Sequence, residues 1–142
     1  MTMMPNATGR GAADGELNLP AFGVIGRERV LAADDLFAVI SDKFPVALGH
    51  TLIIPLRELT RFQELDIAER LRLLEWVAWA QNRLLRTLAR PPDGFNLGVN
   101  DGKAAGQTIA QFHFHVIPRH NGDVSDPRGG IRWVRPDKAR YW

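Results

Sequence analysis

The chain has 142 residues, of which 45% are apolar and 24% are charged, and this composition predicts one globular domain with a buried core. It contains no cysteine, which excludes disulfides and thiolate metal sites. No apolar run approaches the roughly 20 residues of a membrane span, and a net charge of +2 is too small to indicate general nucleic-acid binding. We therefore expect a cytoplasmic protein with neither a membrane nor a nucleic-acid partner.

The N-terminal half divides into a tail and the first strands. Residues 1–18 contain many Gly, Ala and small polar residues, which is typical of a mobile tail. The fold is predicted to occupy residues 19–120, with a short first strand at 30–32. Apolar runs at 36–40 and 51–56 predict strands that are covered on both faces.

The main helix is predicted over residues 67–88. Asp66 and Glu69 form a capping box at its start, and Thr60 with Gln63 predicts a short helical turn before it. The apolar residues at helical spacing, which define the predicted stripe, are Ile67, Leu71, Leu74, Ala78, Leu85 and Leu88.

Trp76 and Trp79 point away from that stripe when the helix is drawn at about 100° per residue. They complete the core of the monomer, or they form a partner surface, because large aromatics are costly to leave in water. Spacing alone does not decide between these two alternatives.

Two further segments alternate with the two-residue period of a strand. The first is 95–100, in which Asn96, Gly98 and Asn100 share a face. The second is 111–117, in which Gln111, His113 and His115 share a face, and Phe112, Phe114 and Val116 share the other. Antiparallel pairing through the loop between them would place both polar sets on one side of the sheet, where Gly98 either leaves room for a ligand or marks a bulge.

His113 and His115 suit nucleophilic or proton-transfer chemistry near neutral pH. The alternatives are a solvated histidine pair, or two ligands of a metal completed by His50 or an Asp. Tight metal sites usually need three or four well-placed ligands, and the residues alone leave this alternative open.

Residues 121–142 form a basic C-terminal tail. Trp133 and Trp142 indicate that it is packed on the body or on a partner. Arg128 or Arg132 could reach substrate phosphates, although a charge run is more often a solvated face.

The segment 111–117, Gln-Phe-His-Phe-His-Val-Ile, resembles the histidine-triad (HIT) motif, His-φ-His-φ-His-φ-φ with φ apolar, of nucleotide hydrolases and transferases. Gln111 stands where that family usually has His. Residues 42–50 resemble its ribose-side loop and residues 100–108 its phosphate loop. The resemblance extends over residues 30–119.

The resemblance implies an α+β HIT-like fold. Five antiparallel strands would form one sheet, with one long and one short helix on one face. HIT proteins commonly dimerise through the long helix, so a homodimer with a joined sheet is expected, and residues 121–142 would pack on the body or on the dimer partner.

The resemblance also implies roles for particular residues. The catalytic set is His113 as nucleophile, His115 as a residue that hydrogen-bonds the α-phosphate, and Gln111. Asp42 would bind the ribose, and the remaining substrate-binding residues, near the phosphates, would be His50, Asn100, Gly106, Gln107 and Thr108. From the residues alone, Asp42 could be a turn residue, His50 a strand-entry cap and residues 100–108 a flexible connection.

The implied function is hydrolysis at the α-phosphate of a dinucleoside polyphosphate, such as diadenosine tetraphosphate, through a covalent nucleotidyl-histidine that releases a nucleoside monophosphate. The family chemistry needs no protein-bound metal, so none is expected, although a magnesium ion could accompany the substrate. One alternative is a purine nucleoside phosphoramidase. Another is a non-catalytic nucleotide-binding module, since Gln111 cannot titrate. A DNA-adenylate processor is weaker, because the chain lacks a zinc finger or an extended basic face.

Overall fold

The computed structural model describes residues 15–142. Its regular elements, in chain order, are β1 (Leu17–Leu19), β2 (Gly23–Ile25), β3 (Val30–Ala33), β4 (Phe37–Ser41), β5 (Thr51–Pro55), α1 (Ile67–Thr87), β6 (Gly94–Gly98) and β7 (Phe114–Arg119). Short 3-10 turns lie at Arg27–Arg29, Phe62–Glu64, Lys103–Ala105 and Gly130–Val134.

Strands β3 to β7 form one antiparallel sheet in the order β3-β4-β5-β7-β6. The predicted α+β fold with a five-stranded antiparallel sheet is therefore confirmed. His115 on β7 pairs with Leu52 on β5 and with Gly98 on β6. This register places His115 on an interior strand of the sheet, with Gly98 on the same face, as the alternation predicted.

Both faces of the sheet are covered, which explains the unbroken apolar runs of β4 and β5. Phe37, Val39 and Ile53 belong to a cluster that packs against α1. Ile40 and Leu52 belong to a second cluster on the opposite face. The hairpin of β1 and β2 contributes Leu19 and Ile25 to that second cluster.

The hairpin was not predicted, because three-residue strands are too short to show a period. Its β1 includes Leu17 and Asn18, which the sequence assigned to the N-terminal tail. Residues 1–14 of that predicted tail lie outside the described residues.

The start of α1 agrees with the predicted capping box. The Asp66 carboxylate accepts from the Glu69 N–H at 2.8 Å, and the Glu69 carboxylate accepts from the Asp66 N–H at 2.9 Å. The predicted Thr60–Gln63 box is wrong. Glu64 Oε2 instead accepts from the N–H groups of Thr60 and Arg61 at 2.9 and 2.6 Å, and the short helix is a 3-10 turn.

The predicted stripe of α1 faces outward, apart from Leu88, which is partly buried against the core. Ile67, Leu71 and Leu74 are 72%, 61% and 67% exposed, whereas the core-facing residues are Leu73, Trp76, Val77, Ala80 and Leu84. Trp76 is fully buried, and its indole N–H donates to Asp34 Oδ2 at 2.9 Å. Of the two alternatives for Trp76, the monomer core is therefore correct. Within residues 15–142, no helix combines the length and apolarity needed to traverse a bilayer.

Candidate active site

His113 is held just before β7 by its own backbone neighbourhood. Its Nδ1 lies 2.9 Å from the carbonyl oxygen of Gln111. A carbonyl oxygen can only accept, so Nδ1 carries the proton and Nε2 of the neutral ring keeps its lone pair. The Phe22 ring packs edge-on against the imidazole at 5.4 Å, and His113 is 8% exposed. The ring is thus fixed with a free nucleophilic nitrogen.

His115 receives its tautomer from His50. The Val46 N–H donates to His50 Nδ1 at 3.2 Å, so the His50 proton lies on Nε2. That Nε2–H donates to His115 Nδ1 at 2.9 Å, which leaves the His115 proton on Nε2. Within the described part of the chain, this buried Nε2 has no hydrogen-bond partner. A buried donor without a partner is costly, and an anionic oxygen would satisfy it.

The electrostatic environment keeps His115 and His50 neutral. Burial lowers the pKa of His115 to about 4, and the neighbouring His113 and His50 add to the effect. Burial also lowers the pKa of His50, against the opposing influence of Asp42. Near neutral pH both rings are therefore uncharged, and His115 acts as a hydrogen-bond donor rather than as a cation.

The side chain of Gln111 is buried and bonded to backbone groups. It is 4% exposed, its Oε1 accepts from the Leu59 N–H at 3.3 Å, and its Nε2 donates to the carbonyls of Pro55 and Arg57 at 2.9 and 3.1 Å. These bonds tie the residue to the end of β5 and to the segment that follows it. Gln111, which the sequence placed in the catalytic set, thus bonds to the backbone through its side chain and orients His113 through its carbonyl.

Asp42 lies next to His50. Its Oδ1 accepts from the Phe44 N–H at 2.8 Å, and its Oδ2 lies 3.4 Å from His50 Nε2. The first contact is the turn geometry that the sequence left open as an alternative. The second joins the residue to His50 and His115.

In the loop between β6 and Gln111, the side chain of Gln107 is bonded to the backbone, whereas those of Asn100 and Thr108 are exposed. Gln107 was predicted to bind phosphate, but its Oε1 accepts from the Gly102 N–H at 2.8 Å, and its Nε2 donates to the Thr60 and Ile109 carbonyls at 3.0 and 3.1 Å. It therefore holds the loop and has no free polar atom. Asn100 and Thr108 are exposed, and Gly106 has a φ of 93°, which favours glycine.

The structure brings together Asp42, His50 and His115 as a potential metal-binding group. One donor atom from each lies within 4.8 Å of the others. His50 Nε2 and His115 Nδ1 are joined by a hydrogen bond of 2.9 Å, so a metal bound to these two nitrogens would have to displace it. His113 is absent from this group, although the sequence considered it as a ligand.

Arg128 and Arg132 both have partners inside the C-terminal tail. Arg128 forms two bonds of 3.0 Å with the Asp126 carboxylate. Arg132 donates to the carbonyls of Ala139 and Lys138 at 2.9 Å each. The idea that either cation reaches substrate phosphates gains no support from these contacts.

Phe22 is a site residue that sequence analysis missed. It lies in the turn between β1 and β2 and contacts His113. The available signal was an isolated aromatic residue between Pro20 and Gly23, a turn composition in which Gly23 takes a φ of 71°. A single aromatic in a turn does not indicate which element it will contact.

A profile of the HIT domain matches residues 26–122, which include every histidine of this site. The chain belongs to the HIT family. Its α+β fold with a five-stranded antiparallel sheet is therefore that of a HIT domain.

Several known proteins resemble this HIT domain. The AP-4-A phosphorylase of Mycobacterium tuberculosis is 32% identical over 97 residues, which cover 68% of this chain and 49% of that protein. The asymmetrical bis(5'-nucleosyl)-tetraphosphatase of Schizosaccharomyces pombe is 34% identical over 82 residues, 58% of this chain and 44% of that protein. The C. elegans NitFhit structure superimposes with a TM-score of 0.71 at 28% identity, over 89% of this chain and 29% of that one. The chain thus spans less than half the length of each.

Proposed function

We propose that this protein hydrolyses nucleotides at the α-phosphate, with a dinucleoside polyphosphate such as diadenosine tetraphosphate as its substrate. The observation that carries the proposal is the hydrogen bond from His113 Nδ1–H to the Gln111 carbonyl. Because the proton is on Nδ1, the lone pair of Nε2 is available for attack on phosphorus. The names of the mycobacterial and fission-yeast relatives support the same substrate class.

The proposed reaction has two displacements. In the first, the His113 Nε2 lone pair forms a bond to the α-phosphorus, and the P–O bond to the leaving nucleotide breaks with its electron pair. In the second, water attacks the same phosphorus, releases a nucleoside monophosphate and returns the electron pair to Nε2, while its proton passes to solvent. Dividing one displacement into two steps is covalent catalysis.

His115 would assist both steps. Its unpartnered Nε2–H can donate to a non-bridging oxygen of the α-phosphate, and His50 holds it in the required tautomer. A donor fixed before the reaction stabilises the charge that develops on phosphate oxygens. Asp42 would accept from the ribose hydroxyls, and Asn100, Thr108 and the backbone at Gly106 would contact the phosphates.

The non-catalytic alternative rested on Gln111, which cannot take part in proton transfer. All of its polar side-chain groups are bonded to the backbone. A glutamine at this position, which cannot titrate, therefore need not weaken the contacts between the protein and its substrate. Turnover of diadenosine tetraphosphate by wild type and His113→Ala tests the point. We expect turnover only in the wild type, with ligand affinity retained in the variant. Equal turnover in both proteins would contradict the proposal.

The phosphoramidase alternative uses the same nucleophile and differs in the leaving group. Assaying adenosine 5′-phosphoramidate beside diadenosine tetraphosphate, with one preparation, separates the two. We expect the larger kcat/KM for the polyphosphate. A larger value for the phosphoramidate would assign the protein to P–N hydrolysis instead.

We also propose a homodimer that covers the outward face of α1. Ile67, Leu71, Leu74, Ala78 and Leu85 are exposed along one side of this helix, and a contiguous apolar face of this kind favours a partner. Light scattering should give twice the chain mass for the wild type and a single-chain mass for Leu71→Glu with Leu74→Glu. The control Arg86→Glu, also exposed on α1, should remain dimeric. A monomeric wild type at micromolar concentration would refute the dimer.

A further inference from the structure

The C-terminal segment after β7 lies beside His115. A Cβ atom placed on Gly130 would meet the Asn96 amide nitrogen at 3.3 Å, and one placed on Gly98 would meet Ile131 Cδ1 at 3.9 Å. Gly98 is the β6 partner of His115, and paired residues share a face. Ile131 therefore covers the sheet next to the histidine that we propose binds the α-phosphate.

Three aromatic rings of this segment each lie against an arginine. The guanidinium carbon of Arg128 lies 4.6 Å from the centroid of the Trp142 ring. The same distance is 4.9 Å between Arg132 and Tyr141, and 5.8 Å between Arg140 and Trp133. Trp133, Tyr141 and Trp142 are called the aromatic cluster below. They are 39%, 75% and 40% exposed.

The aromatic cluster is held in place by contacts within the segment. The Trp133 indole N–H donates to the Arg128 carbonyl at 2.9 Å, and Trp142 Cη2 lies 3.1 Å from the position of a Cβ on Gly129. Arg132 donates to the carbonyl of Ala139, which is fully buried. Rings that are held in place and remain partly exposed are suited to stacking, because little side-chain entropy is lost when a ligand binds.

The charge of the segment is also suited to a nucleotide. In the described part of the chain, the exposed cations Lys138 and Arg140 form no ion pair, whereas Arg128 and Arg135 are paired with Asp126 and Asp137. Aromatic side chains stack on any nucleobase, and uncompensated cations attract the phosphates attached to it. A nucleobase that carries a polyphosphate satisfies both features of the segment.

Building on the hydrolase function proposed above, we propose that the aromatic cluster binds the base of the leaving nucleotide. A dinucleoside polyphosphate has two bases, of which one belongs to the nucleotide transferred to His113. The other departs with the polyphosphate, and the cluster belongs to the segment whose Ile131 lies against Gly98, the strand partner of His115. The substrate class is then narrowed to nucleotides whose leaving group carries a second base.

The test compares two substrates that share a tetraphosphate chain and differ in the second base, diadenosine tetraphosphate and adenosine 5′-tetraphosphate. Trp142→Ala should lower kcat/KM for the first about tenfold, the effect of one lost base stack, and should change the second less than about twofold. Trp142→Phe, which keeps a ring, should retain most of the wild-type preference. Val134→Ala, an exposed apolar residue of the same segment (74% exposed), should behave as wild type towards both.

The remaining outcomes separate this inference from the hydrolase function. If Trp142→Ala leaves both substrates unchanged, or lowers both equally, the cluster does not recognise the second base, although the hydrolase stands. If the wild type cleaves neither substrate, the hydrolase function fails, and the leaving-base site fails with it.

Discussion

Gln111→Ala tests how the first triad position contributes to the site. Truncation removes a 4%-exposed side chain and leaves the Leu59 N–H and the Pro55 and Arg57 carbonyls without the Gln111 amide. Leu59, whose N–H donates to Gln111 Oε1, is itself only 4% exposed. Leaving buried groups of this kind unsatisfied should lower the free energy of unfolding by about 2–4 kcal/mol.

The same change should loosen the Gln111 carbonyl that fixes the His113 tautomer. We therefore expect kcat to fall by up to about a hundredfold through misplacement of the nucleophile, with the loss of stability in parallel. Urea unfolding and steady-state kinetics on the same preparation measure the two effects.

Two further substitutions of Gln111 should lower the free energy of unfolding by different amounts. Gln111→His offers one donor and one acceptor in its neutral form, so it can keep part of the network and should lose less stability than Gln111→Ala. Gln111→Glu has no donor for the Pro55 and Arg57 carbonyls and should be the least stable. Loss of activity in Gln111→Ala with an unchanged urea midpoint would refute the positioning role, because it would mean that the side chain acts on substrate.

Other predictions concern single residues. The pKa of His115 is lowered from 6.5 to about 4, so the ring of the unfolded chain protonates first as the pH falls. Between pH 6.5 and 4, the free energy of unfolding of the wild type should therefore fall by about 3 kcal/mol relative to that of His115→Gln. A stability difference independent of pH would contradict this. Gly106→Ala, at a φ of 93°, should cost about 1–2 kcal/mol in urea unfolding, whereas Gly94→Ala, which has open space around its Cβ position, should cost far less; equal costs would exclude backbone strain. Trp76→Phe removes the indole bond to Asp34 and should lower the free energy of unfolding by about 2 kcal/mol, and an unchanged thermal midpoint would show that this bond contributes nothing.

The sheet and the histidine strand were predictable because their signals are local. Alternation through residues 111–117 placed His113 and His115 on one face, and the structure confirms the pairing of that strand with Gly98. The orientation of α1 was not predictable from spacing, since apolar residues occupy two of its faces. Leu73 and Trp76 face the core, while Leu71 and Leu74 face outward.

The roles of the two glutamines also depend on distant segments. Gln107 bonds to Thr60, and Gln111 bonds to Pro55. These partners are backbone carbonyls more than 40 residues away along the chain, and any residue type presents such a group. No residue pattern therefore distinguishes a glutamine that binds substrate from one that holds a loop.

Intact-mass and peptide mass spectrometry of protein quenched during turnover tests the nucleophile most directly. The quench must be alkaline, because a phosphorus–nitrogen bond to imidazole is labile in acid. With diadenosine tetraphosphate we predict an adduct of adenosine-monophosphate mass on the peptide containing His113, and no adduct in His113→Ala. Full turnover without an adduct at any quench time, or an adduct on another residue, would contradict covalent catalysis by His113.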